Sequence, residues 1–368
     1  MSIEALVELS RFYGNNPEYI LAGGGNTSWK DGDTLFVKSS GFSLADATAD
    51  SFVKMNRKAL ALIWEKTYPQ SSEQRESAVL ADMMAAKKPG EEQKRPSVEA
   101  LLHDILLFAF VVHLHPALVN GLTCSRRGEE AARKIFNDDI LWIPSTNPGY
   151  ILSKLVKTAS GSYHEKHRKF PQVILLQNHG IFVGADSPDG VKELYGEIMS
   201  KIGAMIQRKP DFSDEKRTGG AGEISRTLAD LCAGDAAFMS GGEYAALLKS
   251  RDSFAPVSSA FTPDHIVYAG SDPLFTEART GEGIRQDWKN HVGKTGRNPK
   301  IIAVRGMGIF AACATEKAAN IAMDLFRDSV KVAVYAESFG GPLFMTADKI
   351  DFINNWEVER FRSSVSTK

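Results

Sequence analysis

Apolar residues along the chain fall into two rhythms, and the places where one gives way to the other mark the elements. Ile3, Leu6, Val7 and Leu9 recur at close to helical spacing and predict an opening helix over residues 1–14. The apolar run 19–22 predicts a short strand entering the glycine-rich turn Gly23-Gly24-Gly25-Asn26-Thr27-Ser28. Residues 34–38 predict a second strand, broken by Ser39-Ser40-Gly41. Helices are expected near 54–66 and 72–87, followed by a charged, proline-bounded loop over 88–96. Ser97 then caps a helix reaching residue 108, with Val98, Leu101, Leu102 and Ile105 on its apolar face. Residues 111–114 read as a buried strand, 116–122 as the start of a helix, and 141–144 as strand-like. The runs 173–176 and 181–183 form a strand pair around Asn178-His179-Gly180. Beyond Pro188, Val191, Leu194, Tyr195, Ile198 and Ile202 share one face of a helix.

A polar, glycine-containing stretch at 210–222 predicts a linker between two units, 1–209 and 223–368. An internal repeat crosses that boundary. The run from Pro171 to Phe182 reappears 128 residues later, from Pro299 to Phe310, and both copies lead into an amphipathic helix. In that register Met307 stands where the first copy has His179. The second unit is therefore expected to be a smaller, degenerate repeat without the histidines of the first.

Composition narrows the class. The 368 residues are 43% hydrophobic and 24% charged, with a net charge of −1, which offers no footprint for nucleic acid or an anionic membrane. No apolar stretch approaches the length of a membrane helix, and the N-terminus lacks the basic and apolar regions of a signal peptide. Cys124, Cys232 and Cys313 are too widely spaced for a disulfide framework. A soluble cytoplasmic protein is expected, with Cys124 a buried small residue and His164 and His167 in a polar surface loop.

The candidate chemistry centres on His113-Leu114-His115-Pro116 and on Asn178-His179-Gly180. Two histidines one residue apart on a strand share a face of the sheet. A third beside a glycine can complete a three-nitrogen ligand set suited to Zn²⁺ or a related divalent ion. Glu99, near the start of the Ser97 helix, is read as a fourth ligand, a general acid/base, or a carboxylate favoured there by the helix dipole. His103 lies one turn further on, within reach of Glu99. The Gly23–Ser28 segment is either an anion cradle contributing Gly25, Asn26 and Ser28, or a plain turn between strands. Ser40 and Gly41 form a second small-residue loop, and Ser97 a third hydroxyl at a helix start.

These motifs, in this order, resemble the class II sugar-phosphate aldolases. That family includes fuculose- and rhamnulose-phosphate aldolases, ribulose-phosphate 4-epimerases and the metal-free adducin head. The texture is most similar to the aldolase portion of bifunctional rhamnulose-1-phosphate aldolase/lactaldehyde dehydrogenases. The resemblance covers about residues 15–205. It implies a three-layer α/β/α fold around a mainly antiparallel sheet, with a second smaller repeat of the same plan. It implies Zn²⁺, or Mn²⁺, Co²⁺ or Fe²⁺, on His113, His115 and His179, with Glu99 catalytic. Asn26, Ser40, Gly41 and Ser97 would hold the phosphate of a sugar-phosphate substrate in a homo-oligomer. The implied reaction is retro-aldol cleavage of a ketose 1-phosphate. Epimerisation, dehydration or decarboxylation of a sugar phosphate, or an adducin-like scaffold, are the alternatives. Val98 stands where phosphate-binding relatives often carry a second serine. The longer enzymes continue into a dehydrogenase; with the last residue at Lys368, no oxidoreductase activity is expected of this chain.

Overall fold

The computed structural model describes residues 2–219 and 222–358. Two sheets organise them, each mainly antiparallel and flanked by helices. The first contains β1 (Asn26–Asp31), β2 (Thr34–Lys38), β3 (Phe52–Asn56), β4 (Phe110–Leu114), β5 (Leu141–Ile143), β6 (Val173–Leu176) and β7 (Gly180–Ala185). Its order is β3-β2-β1-β4-β7-β6-β5, and only β5 and β6 run parallel. Strand alternation explains the layers. Phe110, Val112 and Leu114 turn to one face, against Leu6, Leu9, Tyr195 and Ile198 of two helices. Val111, Ile174, Leu176 and Phe182 turn to the other, against Leu102, Leu106, Leu152 and Val156. Both faces carry buried apolar side chains, so apolar burial holds helices on each side of the sheet.

The second sheet contains β8 (Lys216–Gly219), β9 (Asp235–Ser240), β10 (Leu274–Thr276), β11 (Ile301–Val304) and β12 (Gly308–Cys313), in the order β10-β11-β12-β9-β8. Read from the other edge, this matches β1-β4-β7-β6-β5 of the first sheet, with no counterparts of β2 and β3 among the described residues. Val173 faces Val183 and Leu176 faces Gly180; 128 residues later Ile301 faces Ala311 and Val304 faces Gly308. The helices that follow, Pro188–Gly203 and Glu316–Ala336, begin at matching caps. Ser187 accepts from Gly190 N, and Thr315 accepts from Ala318 N.

The two sheets' layers meet where the helix Ala117–Thr123 lies against Glu316–Ala336. A Cβ on Gly121 would stand 2.3 Å from Tyr335 Cβ, so this crossing requires glycine. Lys331 Nζ also pairs with Glu18 at 2.6 Å across the same region.

Several expected elements shift. Residues 19–22 form turns, and the strand lies at Asn26–Asp31. Tyr19 is drawn onto Tyr13 and Tyr195, while Trp29 stacks on Phe36 at 5.0 Å and fixes the strand beyond the glycines. The helix expected from residue 54 starts at Arg57, because Phe52–Asn56 pairs with β2 and Asn56 caps the helix through Lys58 N and Ala59 N. The helix expected to start at a Ser97 cap and reach residue 108 is shorter, Ala100–Ile105, and Glu99 rather than Ser97 holds its N-cap position, without a side-chain capping bond. The expected linker includes β8, which pairs with β9, so part of 210–222 belongs to the second sheet. His164 and His167 lie on the helix Tyr150–His167 rather than in a loop. Cys124 is fully buried, and that burial pushes its thiol up to about 12.

Candidate metal centre and substrate cleft

Each histidine is placed by local backbone logic. His113 occupies the same face of β4 as Val111 and stacks on Phe182, ring centroids 4.0 Å apart. His115, one residue past the strand, returns to that side with its ring 4.6 Å from that of His113. His179 comes from the tight turn between β6 and β7, where Asn178 adopts φ +57°. Asn is among the few residues other than glycine that tolerate this conformation. The next position is glycine because a Cβ on Gly180 would lie 2.5 Å from both Leu114 O and His115 Cδ2. The ligand atoms of all three buried histidines lie within 4.8 Å of one another.

Hydrogen bonding sets the tautomers. His113 Nδ1 lies 3.0 Å from Ile181 O, which can only accept, so Nδ1 carries the proton and Nε2 presents its lone pair. His115 Nδ1 lies 2.5 Å from Asp264 Oδ2, and the same reasoning puts the ring proton on Nδ1 and the lone pair on Nε2. The two Nε2 atoms face each other at 2.9 Å with no proton between them. Burial holds His179 down at about 3, so its ring is neutral at physiological pH. Glu99 Oε1 is buried and makes no hydrogen bond, yet sits 3.4 Å from His113 Nε2 and 3.5 Å from His179 Nε2. A buried carboxylate oxygen that makes no hydrogen bond, set beside three clustered imidazoles, is costly unless a cation joins them. Three neutral imidazoles and one carboxylate oxygen fit a divalent transition ion.

A polar chain turns Glu99 toward this point. Asn26 Nδ2 donates to Glu99 Oε2 at 2.7 Å, and His103 Nε2 bonds to Asn26 Oδ1. Ser28 Oγ lies 2.7 Å from His103 Nδ1. Burial keeps His103 well below its ordinary value, so it is the neutral relay this chain requires. His103 therefore reaches Glu99 through Asn26 rather than by the direct one-turn contact expected.

The adjoining cleft is lined by Gly25, Asn26, Ser40, Gly41, Ser97, Glu99, His115 and His179. Ser28 is a correction: two residues deeper along β1 and fully buried, it bonds His103 and does not line the cleft. Lys38, Val98, Pro148, Pro263 and Val358 also line it. Lys38 could have been noticed, standing directly before Ser39-Ser40-Gly41. Pro263, Asp264 and Val358 belong to the second half, and no spacing rule links them to the histidines. Glu357 forms a two-pronged pair with Arg95, at 3.1 and 2.7 Å, which anchors residues 357–358 beside the cleft.

Against curated proteins, the chain is 21% identical to "Uncharacterized oxidoreductase YuxG" of Bacillus subtilis (strain 168), over 99% of its own length. It spans 58% of that relative's length. Among solved structures it is similar to the N-terminal class II aldolase domain of a conserved protein from Thermoplasma acidophilum. There the identity is 26% and the TM-score 0.47, covering 55% of this chain and 93% of that one. A sugar-phosphate aldolase from Thermotoga maritima gives 12% identity and a TM-score of 0.38, covering 56% and 97%. The family described as Class II Aldolase and Adducin N-terminal domain matches residues 4–198, which carry Glu99 and all three histidines. More than half of the chain lies inside that match, and the protein belongs to the class II aldolase and adducin family.

Proposed function

We propose that the chain cleaves a ketose 1-phosphate of the rhamnulose or fuculose type by a divalent-metal-dependent retro-aldol reaction, releasing dihydroxyacetone phosphate and a short aldehyde. The observation that carries this reading is the meeting of three imidazole nitrogens and the unbonded Glu99 Oε1 in one buried place. His113, His115, His179 and Glu99 are the residues that would hold the ion. Zinc is the proposed occupant, and Mn²⁺, Co²⁺ or Fe²⁺ suit the same donors. Bound there, the ion supplies Lewis-acid stabilisation of negative charge on the substrate's oxygens. As the C3–C4 bond breaks, the C4 hydroxyl gives its proton to Glu99 and becomes the aldehyde oxygen, the bond's electron pair stays on C3, and Glu99 passes the proton to C3; the synthetic direction reverses both transfers. Asn26, donating to Oε2, keeps Oε1 turned inward. The phosphate falls to the loops of Gly25, Asn26, Ser40, Gly41 and Ser97. The amides of Ser40 and Ser97 already donate to Arg95 O and Lys38 O, and the Ser40 hydroxyl to Pro96 O, so the Ser97 hydroxyl and the Lys38 charge carry more of the anion's recognition than those groups.

By the same reading residues 223–368 are a degenerate aldolase-like repeat, and the enzyme is a cytoplasmic homo-oligomer. The test is metal content of the purified protein beside His115→Ala, then product analysis with ketose 1-phosphates. About one ion per chain, lost in the variant, together with aldehyde release, supports the reading. An isomeric sugar phosphate in place of an aldehyde would instead assign epimerisation. Full activity in His115→Ala would overturn the scheme.

A further inference from the structure

The family match ends at residue 198, yet the metal centre does not. Asp264, in the second half, is buried and places Oδ2 2.5 Å from His115 Nδ1. From the same segment, Phe261 O accepts from Asn178 Nδ2 at 3.2 Å, and Leu343 O accepts from it at 2.8 Å. Both histidine-bearing segments are thus gripped from the second sheet's side. The grip is itself anchored: His265, next in sequence, bonds Asp328 Oδ2 at 3.0 Å on the helix Glu316–Ala336. The glycine turn makes room for it, since a Cβ on Gly24 would stand 2.5 Å from Asp264 Oδ2.

We propose that Asp264 is a positioning residue for the metal site, so that the ligand-free half of the chain sets how tightly the other half binds its ion. Accepting the Nδ1 proton fixes His115 in the tautomer that leaves Nε2 available, locks the ring plane, and makes the nitrogen a better donor. An imidazole without that partner can carry its proton on Nε2, which cannot then bind a metal. This inference rests on the metal-site reading above and extends it to a residue outside the family match.

The full-length chain, stripped of metal, is titrated with Zn²⁺ against a chromogenic chelator. Wild type, Asp264→Ala, Asp264→Asn and Gly24→Ala are compared, with circular dichroism and thermal melting run in parallel. Asp264→Ala is expected to lower affinity roughly 10–100-fold. Asp264→Asn, which keeps an acceptor for the Nδ1 proton, recovers part of that loss. Gly24→Ala, which crowds the carboxylate without removing it, also weakens binding. A folded Asp264→Ala that binds Zn²⁺ as tightly as wild type overturns the proposal, even if its melting temperature falls. Should that variant not fold, wild-type affinity in both Asp264→Asn and Gly24→Ala overturns it equally. Wild type that binds no Zn²⁺ overturns the metal-site reading and this inference together, whereas unaffected variants beside a binding wild type overturn this inference alone.

Discussion

The hairpin β6–β7 and the hairpin β11–β12 pair their residues in one register, turn through left-handed residues at matching places, and feed helices with matching caps. Asn178 has φ +57° and Gly306, 128 residues on, has φ +64°. Across the sheet, Phe182 lies opposite His113, and Phe310 lies opposite Phe238. In the first sheet an imidazole stacks on a phenyl ring at 4.0 Å, and in the second two phenyl rings pack at 4.7 Å. Ser240 follows at the place of His115, and Met307 stands at that of His179. The same backbone is content with apolar or small groups at all three positions. The fold therefore does not need the imidazoles. They occupy places that packing alone would fill with carbon, and the Nδ1 protons of two of them are accepted by Ile181 O and by Asp264.

The contrast can be broken most sharply by making one sheet resemble the other. His113→Phe installs the second sheet's residue and is expected to remove the ion entirely while the metal-free chain melts no lower than wild type; a folded variant retaining a full complement of metal would refute the equivalence. Glu99→Gln leaves three histidines in place, so metal should be retained while turnover falls roughly 10²–10⁴-fold; steady-state kinetics at saturating metal separates the two. Gly180 and Gly308 hold equivalent places, and a Cβ on Gly308 would meet Phe238 Cε2 at 2.3 Å. Alanine at either should cost about 1–3 kcal/mol in denaturant unfolding, but only Gly180→Ala should also weaken metal binding. Ser187→Ala and Thr315→Ala remove matching helix caps and should each cost about 1 kcal/mol; a clear inequality would show that the two helices are not held alike.

The histidines were legible because a strand's period of two places His113 and His115 on one side whatever the strand packs against. The 12-residue copy at 299–310 was legible because a buried hairpin tolerates few changes of pattern. Glu99 could be located but not oriented, since its direction depends on Asn26, and Asn26 depends on where β1 starts. The three glycines hid that start: they obey neither rhythm, and the aromatic contacts of Tyr19 and Trp29 decide it. Phe52–Asn56 is a short run that reads equally as helix until β2 lies beside it. Asp264 lay beyond any local rule, as an aspartate 149 residues from its histidine with nothing in its neighbourhood to mark it.

That separation has a consequence in time. During synthesis the histidine at 115 leaves the ribosome well before the carboxylate that steadies it; at ordinary elongation rates the interval is roughly 7–30 s. Throughout it the nascent first half already carries two of its imidazoles, soon three, and none of the contacts from Phe261, Asp264 or Leu343. The finished histidine cluster is in this sense a late product of translation, completed only when the contacts from Phe261, Asp264 and Leu343 have formed.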